Sequence, residues 1–486
     1  MLRFFFPVAV ALSMVGLAQA ADRYDGLQPC ELSAGGGRLT ADALCGSLTV
    51  AEDPDRPEGR QIELAYAVMP ARGARGRPDP VFFLAGGPGQ SARETAPIMR
   101  LALRDINRQR DLIFLDQRGT GGSNPLHCSF DDDEEAWLAT DTARHVEQIF
   151  DCKRGWDADV RFYTTTHAAR DLEALRLRYG FEQINLIGGS YGSRMAQVYL
   201  RMSPDHVRSI ILDGVVPTRL HLGAEHGIKL NLALSRLLAA CSADAECGDR
   251  FPELEDAFES LKAAYPDHDE GAPLSVTHPR TGRAVDLQFT RTTLATALRF
   301  LSYSPQSQMM IPYLIHEAAA TGNPSRIASQ ALIVTDQMAD MIAVGLNFAV
   351  GCSEDWPDWP EVAGQEDTLL GNSMRELYDA ICQDWPRGEV PADFHQPFAS
   401  EVPMLILSGE LDPVTPPEYG DEAQAQFANS LHLVARGRGH IVLTQRCVSR
   451  IAAEFMASGS VAELDIECMD QLGPEPFFLD LLGPAP

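Results

Sequence analysis

The stretch that decides the fold is LIGGSYGSRMAQVYL, residues 186–200. It starts with an apolar run that predicts a buried strand, and it continues with apolar residues at helical spacing. Ser190 lies at the junction, inside the G-x-S-x-G pattern of residues 188–192. So tight a strand-to-helix turn needs small neighbours and exposes the serine hydroxyl. In this context the pattern predicts that Ser190 is a nucleophile, and the alternative is an ordinary glycine-rich turn.

Similar apolar runs lie on both sides of this stretch. They are VFFLAGGPG (81–89), LIFLDQRGTGGS (112–123), VRSIILDGVV (207–216), MLILSGELD (404–412) and LHLV (431–434). Continuous apolar runs that alternate with helical patterns favour a mostly parallel sheet with helices on both faces, which is an α/β fold. Residues 45–70 differ, because two runs flank a turn-rich segment, and they predict a β-hairpin.

The alternation of strand and helix stops in the middle of the chain. From about Pro217 to about Pro397 helical patterns follow one another without a clear strand–helix unit. We therefore expect an α/β core in two parts, residues 21–217 and 398–486, with a mainly helical cap inserted at residues 218–397. Such a cap would cover the carboxyl ends of the strands, where open α/β sheets bind ligands.

The first twenty residues predict an export signal. They contain one charge at Arg3, an apolar run, and a small-x-small cleavage pattern at Ala18-Gln19-Ala20. We expect residues 1–20 to be removed as a signal peptide; an uncleaved membrane anchor is the alternative. The rest of the sequence has no apolar run long enough to span a membrane, so we expect no stable membrane association after cleavage. Periplasm and extracellular medium both remain open as destinations.

The charge balance argues against one class of partner. The chain has 40 Lys and Arg against 68 Asp and Glu, which gives a formal net charge of -28. Binding to nucleic acid requires a basic surface, so we expect no nucleic-acid partner.

The cysteines favour disulfides over metal binding. Ten cysteines follow the signal segment, and an even number in an exported chain is typical of disulfides. The most local choice pairs neighbours in sequence: Cys30–Cys45, Cys128–Cys152, Cys241–Cys247, Cys352–Cys382 and Cys447–Cys468. No pair has Cys-x-x-Cys spacing, so we expect no zinc site, and no other cofactor is implied.

A serine nucleophile needs a base, and the base needs an acid that orients it. His440 follows the strand LHLV in a loop, whereas His432 lies inside that strand and is expected to be a packing residue. Asp412 ends the preceding apolar run. The order Ser190, Asp412, His440 resembles that of α/β-hydrolase triads. Asp213, at the end of another run, is the alternative acid, and a hydrogen bond to a nearby loop is its simpler role.

Acyl transfer also needs two N–H donors for the negative oxygen of the tetrahedral intermediate. The turn GGPG (86–89) ends an earlier apolar run, and glycine lets the backbone approach a substrate closely. We expect the N–H groups of Gly87 and Tyr191 to form this oxyanion hole. A tight turn without a role in binding is the alternative for GGPG alone.

Together these stretches resemble the proline iminopeptidase and tripeptidyl aminopeptidase group of α/β-hydrolases. The matching segments are GGPGQS (86–91), DQRGTGGS (116–123), GGSYGS (188–193), LDGVVP (212–217), GELDPVTPP (409–417), GRGH (437–440) and the cysteine-bearing tail 446–468. Tyr191 and Ala85 stand where proline iminopeptidases often carry Trp and usually carry His. The tripeptidyl type, with its characteristic C-terminal region, is therefore the nearer resemblance.

The resemblance implies an exopeptidase that acts on peptides with a free amino terminus. Such an enzyme must hold an ammonium group, and the cap segment CSEDW (352–356) offers Glu354 and Asp355. We hypothesise that Glu354 pairs with the substrate ammonium, and a surface acid is the alternative. Asp116 and Arg118 are expected to pair with each other and brace a loop.

Two other functions fit the same residues. A carboxylesterase would use the same triad, because acyl transfer does not specify the leaving group. A non-catalytic α/β-hydrolase scaffold that only binds ligands is the third, because a fold does not guarantee activity. The sequence leaves the oligomeric state open.

Overall fold

The computed structural model describes residues 23–73, 76–128, 142–265 and 271–484, and within these ranges the side chains of residues 142 and 334–340 are not described. The predicted signal segment lies outside the described residues.

The strands and helices alternate as the apolar runs predict. The strands are β1 (Gln28–Ala34), β2 (Leu39–Ala51), β3 (Gln61–Met69), β4 (Val81–Leu84), β5 (Leu112–Leu115), β6 (Ile184–Gly189), β7 (Val207–Asp213), β8 (Ala272–Thr277), β9 (Ala284–Phe289), β10 (Met404–Gly409) and β11 (Ser430–Ala435). The helices are α1 (Ala92–Ala102), α2 (Thr142–Arg154), α3 (Thr165–Tyr179), α4 (Tyr191–Met202), α5 (His226–Ala243), α6 (Ala245–Arg250), α7 (Leu254–Ala264), α8 (Arg291–Leu301), α9 (Pro305–Gln308), α10 (Ile311–Thr321), α11 (Ser325–Met341), α12 (Val344–Val350), α13 (Ser373–Cys382), α14 (Pro417–Gln426) and α15 (Arg446–Ser458).

Nine of the described strands form one mixed sheet in the order β1-β2-β3-β5-β4-β6-β7-β10-β11. The pairs from β5 to β11 are parallel, and β1, β2 and β3 join one edge in antiparallel fashion. The parallel sheet and the β2–β3 hairpin are therefore confirmed. A parallel sheet brings the carboxyl ends of β6, β7 and β10 to one rim, which is where the candidate residues lie.

Both faces of the sheet are covered by helices. Alternate side chains of a strand point to opposite faces, so Phe82 packs with residues of α3 and α4 while Phe83 packs with residues of α1 and α15. All residues of β4, β6 and β10 are buried, which explains why these strands are apolar except for Asn185 and Ser408.

The chain between β7 and β10 contains helices α5–α13 and has its own apolar cluster. It also contains the antiparallel hairpin β8–β9, which the helical patterns did not predict. Val276, Val285 and Leu287 alternate with exposed residues and bury one face of this hairpin in the cluster. The two alternating runs are only six residues each, and so short an alternation is a weak signal among longer helical patterns.

All ten cysteines lie within the described ranges, and they form the five sequence-neighbour disulfides that were expected. None of the described helices combines the length and the apolar character needed to cross a membrane.

Candidate active site

Ser190 occupies the sharp turn between β6 and α4. Its backbone angles, φ 54° and ψ -125°, lie in a sparsely populated region for a residue with a side chain, so the turn is strained. The turn is also crowded: a Cβ atom on Gly188 would collide with the backbone of Gly192, and one on Gly192 would collide with the backbone of Leu84. The glycines of the pattern are therefore required by close backbone approach, as the G-x-S-x-G interpretation predicts.

Asp412 and His440 meet at the same rim. The Nδ1–H of His440 lies 2.8 Å from Oδ2 of Asp412. The other oxygen, Oδ1, accepts the N–H groups of Val414 and Thr415 at 2.9 and 2.8 Å, and the Thr415 hydroxyl donates to Oδ2 at 2.8 Å. This carboxylate can only accept, so it fixes the proton of His440 on Nδ1 and leaves Nε2 free to accept a proton.

The electrostatic surroundings keep Asp412 ionised. Burial opposes its charge, but attraction by His440, its hydrogen bond, and the N–H groups of Thr415 and Val414 together hold the pKa of Asp412 below its usual value. An ionised carboxylate at this position can stabilise an imidazolium on His440.

Asp213 and its neighbour link the loop of His440 to the turn that holds Ser190. The Asp213 carbonyl accepts the N–H of Ser190 at 2.8 Å. A Cβ atom on the next residue, Gly214, would lie 3.1 Å from Cε1 of His440, and one on Gly189 would lie 3.4 Å from the side chain of Ile441. The structure therefore brings Ser190, Asp412 and His440 to one end of the sheet.

The carboxylate of Asp213 does not hold His440 but the loop after it. It accepts the N–H groups of Val442 and Leu443 at 3.0 and 2.8 Å. Burial raises its pKa to about 6, against the opposing effect of these two donors. Ile441, next to the histidine, has φ 65°, which is strained for a β-branched residue. The simpler role expected for Asp213, a hydrogen bond to a nearby loop, is the one observed.

The segments that carry the two expected oxyanion donors, Gly87 and Tyr191, lie next to Ser190. A Cβ atom on Gly86 would lie 3.1 Å from Cβ of Ser190, so the GGPG turn passes directly beside the serine. Gly87 has φ 108°, which a residue with a side chain would rarely adopt. Tyr191 is the first residue of α4, and the first N–H groups of a helix have no acceptor within it. The arrangement can thus offer two backbone donors at a helix amino terminus.

The structure buries Asp355 in an internal ion pair. Its side chain is 0% exposed and accepts Nη1 of Arg194 at 3.0 and 3.1 Å and the N–H of Leu222 at 3.0 Å. Arg194 belongs to α4 and lies four residues, about one helical turn, after Ser190. Asp355, which was expected to contribute to substrate binding, attaches the segment between β7 and β10 to the helix that follows Ser190.

Glu354 is equally sequestered, in a short π-helical turn, Gly351–Asp355, with a side chain that is 0% exposed. It accepts the N–H and the hydroxyl of Thr165 at 2.5 and 2.7 Å, and Thr165 is hydrogen-bonded to the hydroxyl of Tyr191 at 2.6 Å. Burial raises the pKa of Glu354 to about 7, an effect that Asp355 reinforces and Arg194 opposes. A substrate ammonium could reach this carboxylate only by displacing its present partners, and the ammonium site at Glu354 stays a hypothesis.

We expect Glu354→Gln to lower kcat/KM equally for substrates with free and with blocked amino groups, because the carboxylate supports Tyr191 from inside. The pKa of about 7 exceeds the ordinary 4.5. The folded state therefore holds the proton more tightly, and the wild type should lose about 3 kcal/mol relative to the variant as pH rises from 4.5 to above 7. Steady-state kinetics with free-amino and N-blocked substrates measure the first effect. Urea unfolding of both proteins at about pH 4.5 and above about pH 7 measures the second. Exposed Glu361→Gln is the control, and a selective rise of KM for free-amino substrates would contradict the internal role.

The pairing expected between Asp116 and Arg118 is wrong. Asp116 accepts the Ser91 hydroxyl at 2.7 Å and the N–H of Arg93 at 3.0 Å, so it caps the start of α1. Arg118 instead donates two hydrogen bonds of 2.7 Å to the carboxylate of buried Asp171 on α3. Each residue braces a loop, as expected, but through a distant partner that no local pattern shows.

The segment between β7 and β10 also contributes residues near His440, and the sequence patterns did not predict them. The N–H of His440 donates to the Tyr303 carbonyl at 2.9 Å, and the rings of the two residues lie 4.9 Å apart in an edge contact. His226 and Arg299 lie nearby, with Nη2 of Arg299 3.2 Å from Nδ1 of His226. A contact through a backbone carbonyl leaves no signal in sequence.

No cluster of three or more His, Cys, Asp or Glu side chains that could hold a metal ion occurs among the described residues.

Comparison with known proteins supplies the family. The chain is 26% identical to serine protease Hip1 of Mycobacterium tuberculosis (strain CDC 1551 / Oshkosh) over 482 residues, which cover 90% of each protein. It is 25% identical to tripeptidyl aminopeptidase of Streptomyces coelicolor over 475 residues, which cover 89% of this chain and 84% of that protein. It is also 35% identical to carboxylesterase B of Mycobacterium tuberculosis over 191 residues, 36% of each.

The resemblance to tripeptidyl aminopeptidases and the expected fold are thereby confirmed. Residues 79–446 match the family model described as the alpha/beta hydrolase fold, and this chain therefore belongs to the α/β-hydrolase family of enzymes.

Proposed function

We propose that this protein is an exported serine aminopeptidase that releases amino-terminal residues or short peptides. One observation supports this most strongly. The Asp412–His440 hydrogen bond of 2.8 Å lies at the rim of the sheet that also holds Ser190 on its strained turn. Asp412, His440 and Ser190 match the roles of acid, base and nucleophile in serine hydrolases.

In this mechanism Ser190 attacks the carbonyl carbon of the scissile amide while Nε2 of His440 takes its proton. The N–H groups of Gly87 and Tyr191 stabilise the negative oxygen, and Asp412 stabilises the imidazolium. His440 then donates the proton to the leaving amine. A water molecule, deprotonated by the same histidine, hydrolyses the acyl-enzyme and restores Ser190.

The preference for peptides with a free amino terminus is supported by the relative named tripeptidyl aminopeptidase, which the chain matches along most of its length. Export is supported by five disulfides, because such bonds persist in oxidising compartments. The carboxylesterase alternative is supported by the shorter match to carboxylesterase B.

A matched substrate panel tests the proposal. Aminoacyl, dipeptidyl and tripeptidyl p-nitroanilides with free amino groups are compared with their N-acetyl forms and with p-nitrophenyl esters of the same acyl groups. We expect cleavage of free-amino anilides, with a kcat/KM at least about tenfold above that of the N-acetyl forms, a difference of about 1.4 kcal/mol in transition-state binding.

Turnover of esters alone would favour the carboxylesterase. Failure of a fluorophosphonate to label Ser190, together with no turnover of any substrate, would favour a non-catalytic scaffold. Mass spectrometry of the products of an unlabelled peptide then gives the length of the released unit.

A further inference from the structure

Arginines that are buried in this protein are neutralised by carboxylates. Among the described residues the buried arginines each have an ion-pair partner: Arg110 with Asp79, Arg118 with Asp171, Arg176 with Glu173, Arg194 with Asp355 and Arg438 with Glu475. This pattern is expected, because an unpaired charge removed from water is costly.

Arg299, in the last turn of α8, is only half-buried, but it has no such partner. Its Nε atom is shielded from solvent and forms no hydrogen bond. Its guanidinium donates to Nδ1 of His226 at 3.2 Å and interacts with the side chain of Tyr303, and it forms no ion pair with a carboxylate of the described residues. Burial and Arg299 itself hold the pKa of His226 well below its usual value, so the imidazole is a neutral acceptor that leaves the positive charge uncompensated.

The position of Arg299 connects it to the reaction. Arg299 lies one helical turn before Tyr303, whose ring and carbonyl both contact His440. The charges of both His440 and Asp412 also influence the titration of His226, which places this cluster within electrostatic range of the triad. The half-buried residues Arg299, His226 and Tyr303 thus form a cluster that contacts His440 through Tyr303, and Arg299 carries its positive charge.

We propose that the guanidinium of Arg299 binds a carboxylate of the substrate beside the scissile bond. The planar fork of arginine donors matches a carboxylate, which would supply the missing negative charge. The carboxylate can come from an acidic side chain next to the scissile bond or from the free carboxyl terminus of a short peptide. This inference rests on the proposed peptidase function and adds a selectivity to it.

A structural role for Arg299 makes a different prediction. A cation in the last turn of a helix interacts favourably with the helix dipole, and Arg299 is placed to do so. That interaction would stabilise the cap regardless of the substrate. A carboxylate site instead changes the ratio of rates for charged and neutral substrates, so the ratio separates the two roles.

The test compares matched peptides that share one acyl unit. One pair has a single-residue leaving group with a free carboxyl terminus or a carboxamide, and two further pairs exchange Glu for Gln on either side of the scissile bond. In at least one pair we expect the wild-type kcat/KM to favour the carboxylate by about tenfold or more. Arg299→Gln should remove this preference, while Arg299→Lys, which keeps the charge, should retain part of it.

Arg326→Gln is the matched control, because this cap arginine is surface-exposed and paired with Glu317, and its preference should equal that of the wild type. The pair that loses its preference identifies the source of the carboxylate. Equal ratios in the wild type and in Arg299→Gln for all three pairs would overturn the inference.

A binding measurement keeps this result separate from the proposed function. Calorimetry with the Ser190→Ala protein compares the Kd of each charged and neutral peptide with and without Arg299→Gln. A carboxylate-dependent affinity that disappears with Arg299→Gln supports the site even if no peptide is hydrolysed. Equal affinities with a normal peptidase activity would overturn the site and leave the function intact.

Discussion

Ser190→Ala should lower kcat by about five to six orders of magnitude. The variant loses the only atom that can form the acyl-enzyme in the proposed mechanism, while the oxyanion donors and the substrate contacts remain. Alanine is small enough for the crowded turn between β6 and α4, so the fold should be preserved. Steady-state kinetics with the best substrate of the panel, active-site titration and circular dichroism measure these effects.

Ser203→Ala is the matched control, because it removes a hydroxyl from the other end of the same helix, α4. Its kcat should remain within about twofold of the wild type, since surface changes away from a site usually cost little. A Ser190→Ala protein that keeps a tenth of the wild-type kcat would exclude Ser190 as the nucleophile.

The second large effect is expected for Asp412→Asn, with a loss of about 10⁴-fold in kcat. Two backbone N–H groups, those of Val414 and Thr415, hold Oδ1, so an asparagine would keep its oxygen there. Its NH₂ group would then replace Oδ2 and donate to Nδ1 of His440. The imidazole proton would move to Nε2, and the histidine could no longer accept the proton of Ser190.

A second Asp–His pair in the protein provides the control. Asp421 is exposed and lies 2.9 Å from Nδ1 of His432, which is fixed on its other side by Ser408. Asp421→Asn makes the same chemical change away from the rim, and we expect no loss of kcat. A loss of less than tenfold in Asp412→Asn would show that another group orients His440, and Asp213 would be the next residue to test.

The core of the fold could be predicted because its signals are local. Residues 81–84 and 404–407 are apolar without interruption, and such short runs are typical of strands buried on both faces. The disulfides could be predicted for the same reason, because each joins two cysteines that are neighbours in the order of cysteines along the chain. The β8–β9 hairpin was missed because two six-residue alternating runs are weak signals among helices.

The candidate site could also be predicted where its signals are local in sequence. The turn around Ser190 is recognisable from sequence because backbone crowding acts between adjacent residues. Asp412 and His440 could be placed because each follows a predicted strand, and parallel strands bring their carboxyl ends to one rim. Their hydrogen bond was a geometric consequence of the topology.

The partners of charged side chains could be read only from the tertiary structure. Glu354 meets Thr165 across 189 residues of chain, Asp355 meets Arg194 across 161, and Arg118 meets Asp171 across 53. The free energy of a buried charge depends on its surroundings in space, and residues distant in sequence provide those surroundings. For that reason the sequence of amino acids determined the sheet, the turn around Ser190 and the order of the candidate triad. The folded chain alone decided that Glu354 and Asp355 are internal and that Arg299 has no ion-pair partner among the described residues.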